Sequence, residues 1–340
     1  DGTYHLLALN DSRKNYLFDP KEDKIAYYPD FISIPGDSIF DLSLFNEVLS
    51  FKLAPRPKEV TYGLIVIGFD GDSEGVIISE LSEKTSDFRS FYAKDKATDS
   101  LNYWFRNYDK DSILLQVSKE KSIDTVKIAV KEEEIDSMRL QFSVKGRLHL
   151  RDTLKLGSSV PIMKMDTAHF HFIDKDSSRV PFELHLSKDR SIVDFQFNKE
   201  FQQSYNLFIA PGGIEDIFGV QNDTLKVKFS TGKVADYCSI FLNIVNIEKF
   251  PVIVDLIDDR GNLVAKKFAT EPREFEFRNL RPTRFKVRVI YDENGNQRWD
   301  TGDYLNKIQP EKVYYINNII EAKANWEVNE TLRISPDTRP

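Results

Sequence analysis

Short stretches in which apolar residues alternate with polar ones run through this chain and restrict the folds open to it. Clear examples are Val126–Val130, Phe182–Leu186, Leu225–Phe229 and Phe285–Val289. Successive side chains of a strand point to opposite faces, so a period of two predicts half-buried antiparallel strands. Turn sequences such as Asp259–Asn262 separate these stretches. The sequence therefore predicts an all-β protein built from tandem antiparallel β-sandwiches.

Composition bounds the classes of function. The 340 residues are 41% hydrophobic, enough for several cores, and the net charge of −7 disfavours general binding to nucleic acid. A single cysteine excludes an internal disulfide framework. The sequence contains no apolar run of about 18 residues, the length that a membrane-spanning helix needs. The chain begins at Asp1 without a signal-like segment, so we expect a trimmed piece whose leader or anchor lies upstream.

Two internal repeats suggest the domain organisation. Asp124–Val130 is similar to Asp223–Phe229, 99 residues later, which is the length of one sandwich domain. Tyr4–Asp11 is similar to Phe285–Asp292 at an offset of 281. The repeats predict four segments: the end of a truncated domain at 1–40, and β-sandwiches at 41–132, 133–232 and 233–340.

The loop that follows the C-terminal copy has the spacing of a calcium-binding loop. Positions 1, 3, 5, 7, 9 and 12 are Asp292, Asn294, Asn296, Arg298, Asp300 and Asp303. Ca²⁺ takes six to eight oxygen ligands, and position 7 contributes only a backbone carbonyl, so an arginine is compatible there. Position 6 lacks the usual glycine and position 12 lacks the usual glutamate. Two interpretations stay open: a Ca²⁺ site, or an Asx-rich turn whose side chains bond their own backbone.

The calcium interpretation carries a mutational expectation. Asp292→Ala should lower thermal stability in Ca²⁺ and leave the chelated protein unchanged. In the N-terminal copy, Asp11, Asn15, Asp19 and Glu22 keep positions 1, 5, 9 and 12. Arg13 stands at position 3, where a ligand is needed, so we expect this copy to bind no metal.

A family resemblance is carried by residues 1–30, 205–232 and 273–330. Asp1–Asp11 resembles the last strands of a transthyretin-like (carboxypeptidase-regulatory-like) module, and Tyr205–Gly232 is similar to the end of a bacterial Ig-like domain of the S-layer type. Their order resembles that of the Ig-like-domain surface lipoproteins of the Bacteroidota. The resemblance implies Ig-like sandwiches at 41–132 and 133–232 and transthyretin-like modules at 1–40 and 233–340.

The same resemblance implies export, an N-terminal lipidated cysteine upstream of this chain, and an outer-membrane, cell-surface location. Cys238 is internal and cannot be that cysteine. It also implies a non-catalytic role within an outer-membrane protein machine, with barrel assembly as the leading candidate. Outer-membrane proteins are the expected partners, nucleic acid is not, and contact with the membrane is expected only through the upstream anchor.

Other reactive residues have both a chemical and a structural interpretation. His169 and His171 would share a strand face and, with His185, could hold Zn²⁺, or they face water while the adjacent phenylalanines face the core. Cys238 lies at the start of an apolar strand and is expected to be a buried small residue. The aromatic stretch Leu101–Tyr108 predicts core packing, a partner contact or a sugar-stacking face.

Three functions are compatible with these features. The first is a non-catalytic structural and interaction protein in which tandem sandwiches form a stiff rod. The second is a carbohydrate-binding component of a surface glycan-uptake system, which requires exposed aromatics grouped into a platform. The third is a hydrolase assembled from distant loops, which requires a polar pocket with perturbed titratable groups. The absence of a catalytic motif favours the first, and we expect no enzyme activity.

Overall fold

The computed structural model describes residues 1–131 and 137–335. In this part of the chain the regular structure is almost entirely strand, with two single-turn 3-10 helices at Thr167–His169 and Val234–Asp236. The predicted all-β class with tandem antiparallel sandwiches is confirmed. No helix among the described residues is long and apolar enough to cross a membrane.

The chain groups into two compact units. One comprises Asp1–Leu49 with Val234–Pro340, and the other comprises Ser50–Lys233. The boundary expected between residues 132 and 133 lies outside the described residues, and the four-segment division stays a prediction.

The N-terminal segment, residues 1–49, forms two short antiparallel ribbons. Its strands are β1 (Gly2–Tyr4), β2 (Leu7–Asn10), β3 (Lys24–Tyr27) and β4 (Ile32–Ile34). β1 pairs with β4 and β2 pairs with β3, while Phe45 forms a bridge with Ile25 of β3. The buried side chains of Ile25, Tyr27 and Phe45 pack with Phe18 and with Tyr304 of the C-terminal part of the same unit.

The first sandwich of the second unit covers residues 52–129. Its strands are β5 (Lys52–Leu53), β6 (Lys58–Thr61), β7 (Leu64–Asp70), β8 (Ile77–Glu80), β9 (Arg89–Lys94), β10 (Ser100–Arg106), β11 (Ser112–Lys119) and β12 (Ser122–Ala129). One sheet has the order β5-β7-β10-β9, with β6 also on β7, and the other has the order β12-β11-β8. The alternation along β7 turns Ile65, Ile67 and Phe69 into the core, as a period of two requires.

The second sandwich covers residues 140–230. Its strands are β13 (Leu140–Phe142), β14 (Gly146–Arg147), β15 (Leu154–Ser158), β16 (Ile162–Met165), β17 (Phe170–Asp174), β18 (Glu183–Leu186), β19 (Ile192–Gln196), β20 (Ser204–Ile209), β21 (Ile214–Asp216) and β22 (Leu225–Ser230). Its sheets have the orders β13-β15-β19-β18 and β14-β22-β20-β17, with β16-β21 as a separate ribbon. Phenylalanines contributed by both larger sheets fill the core between them.

The C-terminal sandwich covers residues 238–333. Its strands are β23 (Cys238–Val245), β24 (Val252–Asp258), β25 (Leu263–Ala269), β26 (Phe275–Leu280), β27 (Thr283–Tyr291), β28 (Val313–Ala322) and β29 (Glu327–Arg333). The sheets have the orders β26-β23-β29 and β25-β24-β27-β28. β29 runs parallel to β23, whereas the other pairs of this sandwich are antiparallel. β24 is buried on both faces: Val252, Val254 and Leu256 face the core between the sheets, and Ile253, Asp255 and Ile257 on the opposite face are buried as well.

Within the second unit, the two sandwiches meet at an apolar joint. Trp104, Val160 and Ile217 are buried together there, and Phe218 packs against them. Gly63 belongs to the same contact, because a Cβ on its backbone would lie 2.6 Å from the Phe218 ring.

An ion pair flanks the apolar joint. Lys96 Nζ lies 2.6 Å from an Asp189 carboxylate oxygen, so it links the 52–129 sandwich to the 140–230 sandwich. Burial acts to raise the pKa of Asp189, but hydrogen bonds from Lys96, Ser187 and Ser191 outweigh it and lower the pKa to about 2.

The aromatic stretch of β10 is accounted for by packing. Tyr103 and Phe105 face the core of the 52–129 sandwich, and Trp104 faces the joint. Core packing is therefore confirmed for one face. Both faces of β10 are covered at these three residues, so they offer no platform for stacking on sugars.

We expect the joint to depend on Trp104, whose side chain is 8% exposed. Trp104→Ala should lower the free energy of unfolding of residues 50–233 by about 3 kcal/mol, because it removes a buried indole and leaves a cavity. Urea unfolding followed by circular dichroism measures the change. Trp326→Ala is the control, since Trp326 is 47% exposed and should cost under ~0.5 kcal/mol. Equal losses in the free energy of unfolding for the two variants would contradict the role of Trp104 at the joint.

Candidate functional site

The loop between β27 and β28, residues 292–311, is organised by a buried carboxylate at its start. Asp292 is fully buried. Its Oδ1 accepts hydrogen bonds from the backbone N–H groups of Gly295 (2.8 Å) and Asn296 (3.1 Å), and its Oδ2 accepts one from Gln297 (2.8 Å). A buried carboxylate is tolerated when hydrogen bonds replace its hydration. Asp292 therefore fixes the first turn of the loop.

The next side chains of the predicted ligand set meet at Asp300. The side-chain amides of Asn294 and Asn296 each donate to Asp300 Oδ2 at 2.6 Å. Their carbonyl oxygens accept from the backbone N–H groups of Asn296 and Arg298, which are Asx turns. Four of the six predicted residues are thus brought together by one turn.

The remaining two predicted residues are placed differently. Arg298 contributes its backbone N–H to the turn and has an exposed side chain. Asp303 points to its own small turn, where both carboxylate oxygens accept from Asn306, at 2.9 Å and 2.7 Å. The backbone N–H of Asn306 is the main cause of the lowered pKa of Asp303.

Glu311, which the sequence interpretation did not include, stands close to this group. Its carboxylate accepts hydrogen bonds from the backbone N–H groups of Glu293 (2.7 Å) and Asp300 (3.1 Å), so it joins the end of the loop to its start and to Asp300. Burial is the main influence that raises the pKa of Glu311, and the charges of Asp292 and Asp300 add to it. The calcium-loop spacing ends with the acidic residue at position 12. Glu311 lies eight residues beyond that position, so the spacing does not identify it.

The oxygen atoms of this loop are ligands of the type that a hard cation binds, but the hydrogen bonds of the Asx turn also explain why these residues are grouped. Asp292, Asn294, Asn296, Asp300 and Glu311 offer only oxygen and amide groups, which suits Ca²⁺ better than a softer metal. The Asx-turn hydrogen bonds predicted by the second interpretation are present. Among the described residues no group of three or more His, Cys, Asp or Glu side chains is placed to hold a metal ion. The Ca²⁺ site stays a prediction.

One expectation about this loop needs correction. Asp292→Ala was expected to act only while Ca²⁺ is bound. Because Asp292 is fully buried and caps three backbone N–H groups, its removal should destabilise the chelated protein as well.

The N-terminal copy of the loop contains its own cation. The Arg13 guanidinium donates to Glu22 Oε2 at 2.7 Å and lies 3.2 Å from Asp19 Oδ2. These two carboxylates occupy positions 12 and 9 of the repeat, so the arginine neutralises residues that a metal would otherwise need. That this copy binds no metal stays a prediction.

The C-terminal loop holds the N-terminal segment. Thr301 Oγ1 donates to the carbonyl of Asn46 at 2.8 Å, and the N–H of Tyr304 donates to Glu47 Oε1 at 2.7 Å. The Phe45 ring sits over Gly302, where an added Cβ would lie 2.8 Å from it. The glycine is therefore required by a close approach.

An aromatic contact completes this attachment. The rings of Tyr27 and Tyr304 meet edge to face with centroids 5.3 Å apart, and Lys307 Nζ lies 3.8 Å from the Tyr304 centroid. Gln309 donates to the Tyr27 carbonyl at 3.1 Å. The loop is therefore a docking platform within its own unit, whether or not it holds an ion.

The histidines do not form a metal site. His169 ends a 3-10 turn, so the same-face argument for residues i and i+2 fails, and its imidazole lies 3.6 Å from Asp166. His185 is on β18, which belongs to a different sheet from β17, the strand that carries His171. The zinc alternative is wrong for these three residues, whereas the expected burial of Phe170 and Phe172 is confirmed.

Cys238 is a buried structural residue, as expected. Its thiol lies 3.6 Å from the Leu280 carbonyl oxygen. Burial raises the pKa of the Cys238 thiol to about 11, so the nucleophilic thiolate is scarce at neutral pH.

Comparison with known proteins gives distant structural similarities. No family model matches the chain, and no curated protein matches it. Domains A168–A170 of titin are 12% identical over 81% of this chain and 98% of that chain, with a TM-score of 0.22. The major pilin subunit BcpA of Bacillus cereus is 10% identical over 72% of this chain and 93% of that chain, with a TM-score of 0.22. Domains 4–9 of the surface layer protein SbsC are 8% identical over 94% and 54%, with a TM-score of 0.28. Similarities this low carry no argument about what the chain does.

We expect Phe45 to hold the N-terminal segment on the loop. Phe45→Ala should cost about 3 kcal/mol of stability in this unit, because the ring is buried against Gly302 and Tyr27. Limited proteolysis should then cleave within residues 1–49 much faster than in the unchanged chain. Leu44→Ala, at the exposed neighbouring position, is the control and should leave the cleavage rate unchanged. Similar cleavage of both variants would refute the role of Phe45.

Proposed function

We propose that this chain is a non-catalytic structural and interaction subunit at the bacterial cell surface, working within an outer-membrane protein machine. Barrel assembly is the leading candidate for that machine. The apolar joint of Trp104, Val160 and Ile217 carries the structural part of the proposal, because it holds two sandwiches in a fixed relation. The surface location, the lipid anchor and the outer-membrane partners rest on the resemblance to Bacteroidota lipoproteins.

The chemistry of the candidate residues supports a role without catalysis. The Cys238 thiol is buried with a raised pKa, the three histidines are separated, and Asp292 is occupied with backbone N–H groups. Among the described residues, the exposed large aromatic side chains form no single group: Tyr4 and Phe31 lie at the ribbon of β1 and β4, and the others lie on different elements, namely Tyr16, Phe201, Trp299 and Trp326. This distribution favours protein contacts over a single sugar-stacking platform.

A pull-down from solubilised membranes of the source cells tests this function. The tagged full-length protein is recovered and its partners are identified by mass spectrometry. We expect stoichiometric recovery of an outer-membrane barrel or its assembly factors. Trp104→Ala should reduce that recovery if the fixed relation of the sandwiches matters, and Trp326→Ala should not. Recovery of no protein would overturn the proposal in favour of the glycan-binding alternative, and a glycan array would follow.

Calcium is the cofactor proposed for the C-terminal loop. Asp292, Asn294, Asn296, Asp300 and Glu311 would supply the oxygens. The bound ion would stabilise the loop on which the N-terminal segment rests and would take part in no reaction. The comparison of the two copies supports this proposal, since Asn294 stands where Arg13 supplies a positive charge in the other copy.

The calcium proposal predicts a paired mutational result. Ca²⁺ at a hundredfold excess over its dissociation constant should stabilise the chain by about 2.7 kcal/mol, through binding to the folded state. Melting curves in Ca²⁺ and in chelator measure this difference. Asp300→Ala should abolish it, and Asp19→Ala, the matching position of the N-terminal copy, should leave it intact. A calcium response that survives Asp300→Ala would refute the site.

A further inference from the structure

The outer face of the β25-β24-β27-β28 sheet, which points away from the core, carries a row of three cations. They are Arg284, Lys286 and Arg288, at alternate positions of β27, and they share this face because the period of a strand is two. On the neighbouring strands, Asp255 lies opposite Arg288 and Glu321 lies opposite Arg284. The first and last cations of the row therefore face carboxylates.

Lys286, in the middle of the row, faces no carboxylate. Its neighbour across the sheet on β24 is Ile257. Among the described residues, no group forms an ion pair or a hydrogen bond with the exposed Lys286 ammonium. Arg288 differs in this respect, because it forms an ion pair at 2.6 Å with the fully buried Asp255. Lys286 is therefore a cation without a countercharge in the described part of the sheet.

A bulge in β28 opens a hollow beside Lys286. Val287 pairs with Ile316, whereas Phe285 pairs with Ile320, so two steps along β27 are matched by four along β28. The extra length of β28 lies opposite Lys286, where a carboxylate would complete the row. The hollow has a volume of about 390 Å³. Its lining residues are Lys286, Tyr315, Ile316, Asn317 and Ile319.

The walls of the hollow combine a positive charge with apolar surface. The Ile319 side chain is 58% exposed. Tyr315 is held by Arg288, which donates a hydrogen bond to Tyr315 Oη at 3.5 Å and whose guanidinium carbon lies 6.0 Å from the ring centroid. Asn317 adds an amide that can donate to an oxygen atom. The hollow thus offers an anion contact beside an aliphatic and an aromatic wall.

We propose that this hollow binds a small organic carboxylate with an apolar or aromatic body. The carboxylate supplies the countercharge that Lys286 lacks, and the body covers Ile319 and the Tyr315 ring. The ligand carboxylate binds Lys286 in preference to Arg288, because the negative charge of Asp255 repels it from Arg288. This site is additional to the interaction role proposed above and does not depend on it.

The charge balance favours a ligand with a single negative charge. One lysine of the row lacks a countercharge, and the chain as a whole has a net charge of −7. A dianion such as a phosphate monoester would bring a second charge that nothing in the hollow balances, and the field of the chain would oppose it.

NMR of the complete 340-residue chain, labelled at its isoleucine methyl groups, tests the proposal. The probes are phenylpropionate and its neutral analogue phenylpropanol. Ile316 and Ile319 line the hollow and report binding, and Ile77 of the 52–129 sandwich is the reference. We expect saturable shifts at Ile316 and Ile319. Phenylpropionate should bind about fivefold more tightly than phenylpropanol, the upper range for an exposed ion pair.

Two variants identify the charge that the ligand uses. Lys286→Met keeps the alkyl stem and removes the ammonium, so phenylpropionate should bind no better than phenylpropanol. Asn317→Asp supplies the missing carboxylate from the chain itself and should have the same effect. Lys267→Met and Asn318→Asp are the matched controls, since both residues belong to the same sheet but do not line the hollow. All four positions are exposed, so the variants should melt like the unchanged chain.

Several outcomes would overturn the proposal. These are equal affinity of the unchanged chain for the two probes, shifts that do not saturate, and a preference for phenylpropionate that survives Lys286→Met. Tighter binding of phenyl phosphate would contradict the assignment of a monoanion. Tighter binding of a blocked peptide with one glutamate between two phenylalanines would replace the small ligand with an acidic segment of a partner protein. The pull-down result is independent, because the NMR sample contains no other protein.

Discussion

The first unit depends on the buried carboxylate of Asp292. A charge removed from water is stable only when other groups replace its hydration, and three consecutive backbone N–H groups do so here. Those bonds set the path of the loop away from β27. The loop then presents Thr301, Gly302 and Tyr304 to the N-terminal segment. Attachment of the first 49 residues thus follows from a hydrogen-bonding requirement nearly 250 residues further along the chain.

The two copies of the strand and loop show two solutions to the same electrostatic problem. Each loop brings several carboxylates close together, and their mutual repulsion must be offset. The N-terminal copy offsets it with Arg13, which is part of the chain. The C-terminal copy distributes the charge over backbone N–H groups and amides, and Glu311 closes the loop with a further negative charge. The C-terminal copy is consequently the one whose stability we expect to respond to the ionic composition of the solution.

The features that the sequence predicted well are those determined by neighbouring residues. Alternation identified β22 and β27 because the period of two is a local property of a strand. The Asx-rich turn was predictable for the same reason, since its donors and acceptors are a few residues apart. The contact between Trp104 and the 140–230 sandwich was not predictable. Alternation shows that one face of a strand is covered, but it does not show which part of the protein covers it.

Two predictions failed or fell short for identifiable physical reasons. The histidine pair failed because Asp166 caps a 3-10 turn that ends at His169, which breaks the strand periodicity that the prediction assumed. Glu311 was missed because it enters the loop from its far end, at a distance in sequence that no compact motif spans. The docking of residues 1–49 on the C-terminal loop has the same origin, as contacts so distant in sequence leave no periodic signal.

The separation of partners in sequence has a consequence for how the chain reaches its folded state. The bond between Thr301 and Asn46 joins residues 255 apart, and β23 gains its parallel neighbour only from β29, near the end of the chain. Contacts of this kind are slow to form, since a long loop must close before they contribute. The first 49 residues therefore emerge before the surface that covers them exists. During synthesis Tyr27 and Phe45 stay uncovered until the C-terminal loop forms, so we expect these residues to be the part of the chain for which a chaperone matters most.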